Sequence, residues 1–276
     1  MSFFASIIYG FISGITEILP VSSQGHQALM RYLFGAQTRI PLQELLVHIG
    51  VFFSIIVGSS EMLRTLMRDQ RTLSSRYRRR KHHTDNRSYF ELRLLKSAAV
   101  LLFIALFAYF ATQKLETGLL PAMTFWIVNA IILFVADHMP RGNRDARTMS
   151  SLDGVVMGIV GTLSVFPGIS RTGMISSYTI ARGVDNDTSA NWAILLGIPA
   201  LLFYILFDLI GLLTYGLGVH TMGATIACVI SGAAAFLGGY LAVSLLKLIL
   251  SHSGLSKFAY YCIGAAMFTF AIYLIT

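Results

Sequence analysis

The chain of 276 residues is 55% hydrophobic and only 12% charged, with a mean hydropathy of +0.68, which excludes an ordinary soluble domain. Its net charge is +8, from 21 Lys and Arg against 13 Asp and Glu, and the basic excess is clustered rather than spread. Cys228 and Cys262 lie inside apolar stretches at no disulfide or metal-binding spacing, so both read as small buried hydrophobes.

Residues 3–35 start apolar, are interrupted at GITEILPVSSQGH (14–26), and resume. No Lys or Arg precedes Arg31, so this stretch lacks the basic region of a signal peptide. A Pro, a Gly and a carboxylate in its middle argue against a plain crossing and for a re-entrant helical hairpin. Leu45–Ser59 follows as an apolar span, then residues 64–96 as a basic loop carrying RYRRRKHH (76–83). Ala98–Ala111 and Leu119–Ala136 are the next spans, before the basic PRGNRDAR (140–147). Residues 153–183 repeat the broken pattern around FPGISRTG (166–173). Trp192–Leu213, Met222–Leu246 and Phe258–Ile275 complete six crossings, the shortest borrowing flanking residues to bridge roughly 30 Å of hydrocarbon. The expected class is an all-α integral membrane protein, a single membrane domain over residues 1–276.

Eleven of the 21 Lys and Arg residues fall between Arg64 and Lys96. Between two spans such a run fits the positive-inside rule, so no nucleic-acid partner is expected. The loop is placed in the cytoplasm, within reach of anionic headgroups. PRGNRDAR, and Leu246–Lys257 with Lys247 and Lys257, fall on the same side. Six crossings then leave both termini outside. His82 and His83 belong to the solvated loop.

The two broken stretches align at a fixed offset of 147. Gly14 pairs with Gly161, Pro20 with Pro167, Ser23 with Ser170 and Gly50 with Gly197, without a gap. This reads as an internal duplication. Repeat one is residues 1–137, with hairpin 3–35, and repeat two is 148–276, with hairpin 153–183. Each half holds one hairpin and three crossings, and three is odd, so the second copy is inverted. Inverted repeats bring their broken helices together near the midplane, where irregular backbone survives only around a protein-walled cavity.

The hairpin tips carry the polar residues. Glu17, Ser22, Ser23, Gln24 and His26 come from the first, and Gly168, Ser170, Arg171 and Thr172 from the second. A charge buried in the bilayer costs about 2.5–3.5 kcal/mol, so Glu17 and Arg171 are expected to be paired. Helix-start N–H groups plus a guanidinium make an anion site, and phosphate is its natural occupant. Ser22, Gly168, Ser170, Arg171 and Thr172 are the phosphate-binding candidates. A hydroxyl beside imidazole and carboxylate is a nucleophile, base and orienter set, here Ser23, His26 and Glu17. The chemistry indicated is phosphoryl transfer on a lipid-borne phosphate.

TEILPVSSQGH (16–26) with FPGISRTG (166–173) resembles the undecaprenyl-diphosphate phosphatase (bacitracin-resistance protein) family of bacterial membranes, whose hallmarks are EGxTEFLPVSSTGH and PGFSRSGAT. QELLVHIG (43–50) and NWAILLGIP (191–199) are similar to the segments that follow each hairpin in that family, and Asp208 matches an aspartate often found there. The resemblance implies six spans plus two re-entrant hairpins in inverted repeats, in the bacterial inner membrane. It implies removal of the terminal phosphate of a C55 isoprenyl diphosphate, which recycles carrier lipid for peptidoglycan and links the family to antibiotic resistance. It also implies a divalent cation, Mg²⁺ or Ca²⁺.

On that resemblance the catalytic set is Glu17, Ser23, His26 and Arg171. Arg171 clamps phosphate oxygens, His26 is base or acid, and either Ser23 or His26 attacks phosphorus. Glu17 orients His26 or binds the cation. Three positions depart from the family. Ser13 stands where the motif has a second acid one turn before Glu17, Ile175 replaces its threonine, and Gln24 replaces another. Losing one carboxylate weakens any cation site unless Glu44 or Asp208 reaches the cavity. His48 reads as a hydrogen-bonded core or cavity-lining residue. A non-hydrolysing flippase using the same phosphate site is the alternative reading. Abundant glycine, 24 residues, permits close helix packing and leaves homodimerisation open.

Overall fold

Pro20 and Pro167 set the architecture, because a residue that precedes proline is pushed out of the helical region. The computed structural model of the chain describes residues 2–36, 39–77, 87–111, 118–140, 142–144, 146–219 and 221–275. Most of RYRRRKHH lies outside these residues. Helix α1 (Phe3–Ile18) stops where Leu19, before Pro20, turns extended at φ −74° and ψ 153°. Helix α2 (Ser23–Leu33) restarts the chain, capped by Ser22, whose hydroxyl accepts from the Gly25 N–H.

Helix α3 (Pro41–Gly58) and the polar helix α4 (Ser60–Tyr77) follow, then α5 (Arg87–Ala111) and α6 (Leu119–Asp137). Helix α7 (Ser151–Thr162) opens on a reciprocal Ser150–Asp153 capping box and tightens into a 3₁₀ turn at Leu163–Val165. Phe166, before Pro167, repeats the extended exit at φ −78° and ψ 121°. Helix α8 (Arg171–Ala181) restarts from Ser170, whose hydroxyl accepts from the Gly173 N–H. Helices α9 (Asn186–Leu195), α10 (Gly197–Tyr215), α11 (Met222–Ser253) and α12 (Ser256–Ile275) complete the chain. The described residues contain no β-strand; Arg144 and Val184 form one isolated bridge.

Among the described residues, five helical stretches are long and apolar enough to cross a membrane: Pro41–Gly58, Leu119–Asp137, Asn186–Tyr215, Met222–Ser253 and Ser256–Ile275. The protein is therefore an all-α, multi-pass integral membrane protein. The expected span Ala98–Ala111 falls within α5. The expected span Trp192–Leu213 starts earlier, at the Asp185-capped end of α9, and is offset at Leu196 between α9 and α10. Helix α11 runs beyond Leu246 to Ser253, because the strong helix formers of LKLIL continue it until Gly254 at φ 68°.

Helix α11 packs along α1 and α3, and its small-residue run GAAAFLGG (232–239) lets the backbones approach closely. At Gly14, a Cβ would collide with the backbone of Ala235, so only glycine fits. Each hairpin is tied at its base by a carboxylate, a tyrosine and an arginine. In the first, Tyr9 of α1 donates to Glu44 Oε1 of α3 at 2.5 Å, and Arg31 of α2 reaches Tyr9 Oη at 3.1 Å and Glu44 at 3.5 Å. In the second, Tyr178 donates to Asp153 Oδ1 at 3.0 Å and Arg182 pairs with it at 2.8 Å.

The two ties differ in burial. The Arg31 and Glu44 side chains are 9% and 7% exposed, whereas Arg182 is 43% exposed. Glu44→Ala strands a buried guanidinium and is expected to cost about 3–5 kcal/mol, while Arg182→Ala, which removes a solvent-screened partner, is expected to cost much less. Thermal unfolding of the two variants in detergent checks this ranking.

Candidate active site

The two helix breaks meet, and α6 holds them together. Breaking a helix among apolar side chains leaves backbone groups that must find partners or cost about 1–3 kcal/mol each. Trp126 Nε1 donates to the Val21 carbonyl at 2.8 Å. Asn129, fully buried, donates from Nδ2 to the Pro20 carbonyl at 3.1 Å and accepts the Ser170 N–H at 3.0 Å. One amide thus serves both breaks. Ser170 Oγ donates to the Leu19 carbonyl at 3.3 Å, and the Gly168 N–H donates to Ser22 Oγ at 2.9 Å.

Ser22 adopts φ 68° and ψ 105°, the one non-glycine residue at positive φ among the described residues. Such a conformation costs on the order of 1–3 kcal/mol and persists only where its surroundings hold it. Its hydroxyl bonds, and the Trp126 bond to the preceding carbonyl, do so. Gly168 sits at φ 112° against the backbone of α6, where a Cβ would meet Trp126 N at 2.6 Å.

An open-mouthed cavity lies beside the joined tips. Thr16, Glu17, Ser22, Ser23, Gln24 and Gln27 line it from the first hairpin, and Ser164, Ile169, Ser170 and Arg171 from the second. Arg39, His48, Tyr204, Phe207 and Asp208 line the remainder. Water-sized occupants find ≈ 40 Å³ of free volume there, room for a few waters or the oxygens of a headgroup rather than for a long apolar tail. At its centre the Glu17 carboxylate bridges two groups. Glu17 Oε2 accepts from the Ser23 hydroxyl, and Oε1 pairs with Arg171 Nη1 at 3.2 Å. Arg171 Nη2 also donates to the Glu17 carbonyl at 3.3 Å, while Nε makes no hydrogen bond among the described residues. The N-terminal ends of α2 and α8, each eleven residues long, bring their positive poles to the same place.

The expected site residues divide. Glu17, Ser23 and Arg171 stand together at the cavity. Ser22 and Ser170 also line it, but their hydroxyls hold the turns and cap the helices. The Gly168 N–H is taken by Ser22, and Thr172 is buried without lining the cavity. His26 is turned away from it: Nδ1 bonds the Ser22 carbonyl at 2.7 Å and Nε2 the Tyr261 hydroxyl at 2.8 Å. Its ring packs between Trp126 and Tyr261, because Ser23, Gln24 and Gln27 take the cavity face of α2.

Glu44 is committed to Arg31 and Tyr9 and does not line the cavity. Asp208 does reach it and binds His48 Nδ1 at 2.5 Å. Ser13 Oγ is buried with no hydrogen-bond partner among the described residues. Glu17 thus has both oxygens engaged and Asp208 is taken by His48, and among the described residues no three His, Cys, Asp or Glu are grouped to hold an ion. Both cavity carboxylates are committed to protein partners, so the described residues present no preformed cage of oxygen donors for Mg²⁺ or Ca²⁺. Sequence reasoning missed Trp126 and Asn129; the one signal was an amide inside the apolar run FWIVNAIILF.

Asn129→Leu keeps the volume and removes the amide. Leaving the Pro20 carbonyl and the Ser170 N–H unpaired is expected to lower stability by about 2–6 kcal/mol, measured by thermal unfolding in detergent.

The chain is similar to known proteins over nearly its whole length. The chain is 29% identical to an undecaprenyl-diphosphatase of Alkaliphilus metalliredigens, over 282 residues covering 99% of this chain and 100% of that one. It is 29% identical over 272 residues to one from Thermosipho africanus, with 96% and 98% covered. The figure is 28% over 264 residues for one from Carboxydothermus hydrogenoformans, with 95% and 94% covered. Residues 6–268 match the family described as bacitracin resistance protein BacA, and the chain belongs to that family.

Proposed function

We propose that this protein is a membrane phosphatase that removes the terminal phosphate of a C55 isoprenyl diphosphate, returning carrier lipid to cell-envelope synthesis. The observation that carries the reading is the Glu17 carboxylate bridging the Ser23 hydroxyl and the Arg171 guanidinium beside two helix N-termini. The relatives' shared name, undecaprenyl-diphosphatase, supports the substrate class.

Each side chain has a role in this reading. Arg171, with its unengaged Nε and the α2 and α8 N–H groups, binds the terminal phosphate and stabilises charge as the bridging bond breaks. Glu17 accepts the Ser23 proton, making the hydroxyl a nucleophile. His26 acts on Ser23 indirectly, by holding the carbonyl of the strained Ser22. In the same reading the protein sits in the bacterial inner membrane with six crossings, its basic loops cytoplasmic and both termini outside. Residues 1–137 and 148–276 form inverted repeats whose hairpins enter from opposite faces.

Purified protein in detergent, given C55 isoprenyl diphosphate with Mg²⁺ or Ca²⁺ present or chelated, is expected to release inorganic phosphate. Arg171→Ala is expected to lower kcat about 10²–10³-fold, and Ser23→Ala to bring release to background. Lipid binding without release by the wild type overturns the reading and favours headgroup transport. Release gained only in Ser13→Glu marks a chain whose chemistry left with that carboxylate.

A further inference from the structure

We propose that His48 is a further catalytic residue of this cavity, the base that takes the proton of the attacking water, with Asp208 as its positioning residue. The inference rests on the phosphatase reading above. His48 stands on α3 and Asp208 on α10, and the Nδ1–Oδ2 distance is 2.5 Å. A carboxylate on one ring nitrogen fixes which face the other presents. Tyr204, one turn before Asp208, stacks on the imidazole with centroids 5.2 Å apart and planes 25° apart. The ring is therefore held on two sides by one helix. Nε2 has no hydrogen bond to any described residue, and His48 lines the same cavity as Glu17, Ser23 and Arg171.

The reaction needs such a group. In the first half, Ser23 Oγ bonds to the terminal phosphorus, its proton passes to Glu17, and the bridging electron pair departs with the polyprenyl phosphate. That leaving group carries its charge on phosphate oxygens and does not need the proton, which stays on Glu17. In the second half, a water oxygen bonds to the same phosphorus and the P–Oγ bond breaks as Ser23 recovers its proton from Glu17. Glu17 is the acid in that step and is not free to be the base. His48 Nε2 takes the water's proton and releases it to solvent with inorganic phosphate. Helix α1 offers no alternative, because Ser13 stands one turn before Glu17 with its hydroxyl buried away from the cavity. A pair that served only to tie α3 to α10 would not need to line the cavity with its second ring nitrogen unbonded among the described residues.

The test uses the full chain in detergent with C55 isoprenyl diphosphate. His48→Ala is expected to lower kcat about 10²–10⁴-fold with KM nearly unchanged. Phosphoserine is expected to accumulate at Ser23, detected by mass spectrometry after acid quench, and added imidazole to restore part of the rate. His48→Gln preserves packing and the bond to Asp208, so it serves if the alanine variant fails to fold; it is expected to lose kcat without rescue. Asp208→Asn is expected to lower kcat by less, also without imidazole rescue. Wild-type kcat in His48→Ala and His48→Gln, a change confined to KM, or a loss with neither phosphoserine nor rescue overturns the inference while the phosphatase reading stands. No phosphate release by the wild type overturns both.

Discussion

A helix interrupted inside an apolar layer exposes N–H and C=O groups where no water can meet them, and this structure turns on how that debt is met. Proline makes the interruption at Leu19 and again at Phe166. Trp126 and Asn129 from α6 then supply donors and an acceptor, and the two tips complete the set with bonds to each other. Because one side-chain amide bonds to both breaks, the position of Glu17 relative to Arg171 is fixed within a hydrogen bond's tolerance. The chemistry proposed for the cavity needs that fixed relation more than it needs any single residue near by.

The charges follow the same logic. Glu17 and Arg171 are nearly buried, and each is the other's counter-ion. Arg171 is also bound to the end of α1 through a carbonyl, so its orientation is set while its buried Nε makes no hydrogen bond among the described residues. The first hairpin's base repeats the device with Arg31, Tyr9 and Glu44, and the second with Arg182, Tyr178 and Asp153. These ties sit away from the cavity and leave its polar groups free for a ligand.

Much of this was legible in the sequence, for identifiable reasons. Apolar length gave five of the expected spans, and proline with its preceding residue gave the breaks, since both are local effects. The meeting of Glu17, Ser23 and Arg171 followed from the cost of leaving a charge alone in hydrocarbon. The position of His26 was not legible, because the motif gives spacing but not which side of α2 faces the cavity. Neither was Asn129, whose partners lie 109 and 41 residues away in the chain. His48 and Asp208 are 160 residues apart, and only the packing of α3 on α10 makes them neighbours.

Trp126 and Asn129 belong to the first half of the chain, and both are synthesised before residues 166–170 exist. The early break can therefore saturate its carbonyls within its own half. The later break depends on an amide that it does not encode, through the Ser170 N–H. The dependence also runs back: the strained Ser22 of the early break takes the Gly168 N–H and the Leu19 carbonyl takes the Ser170 hydroxyl, so neither tip is complete until the other half has folded against it.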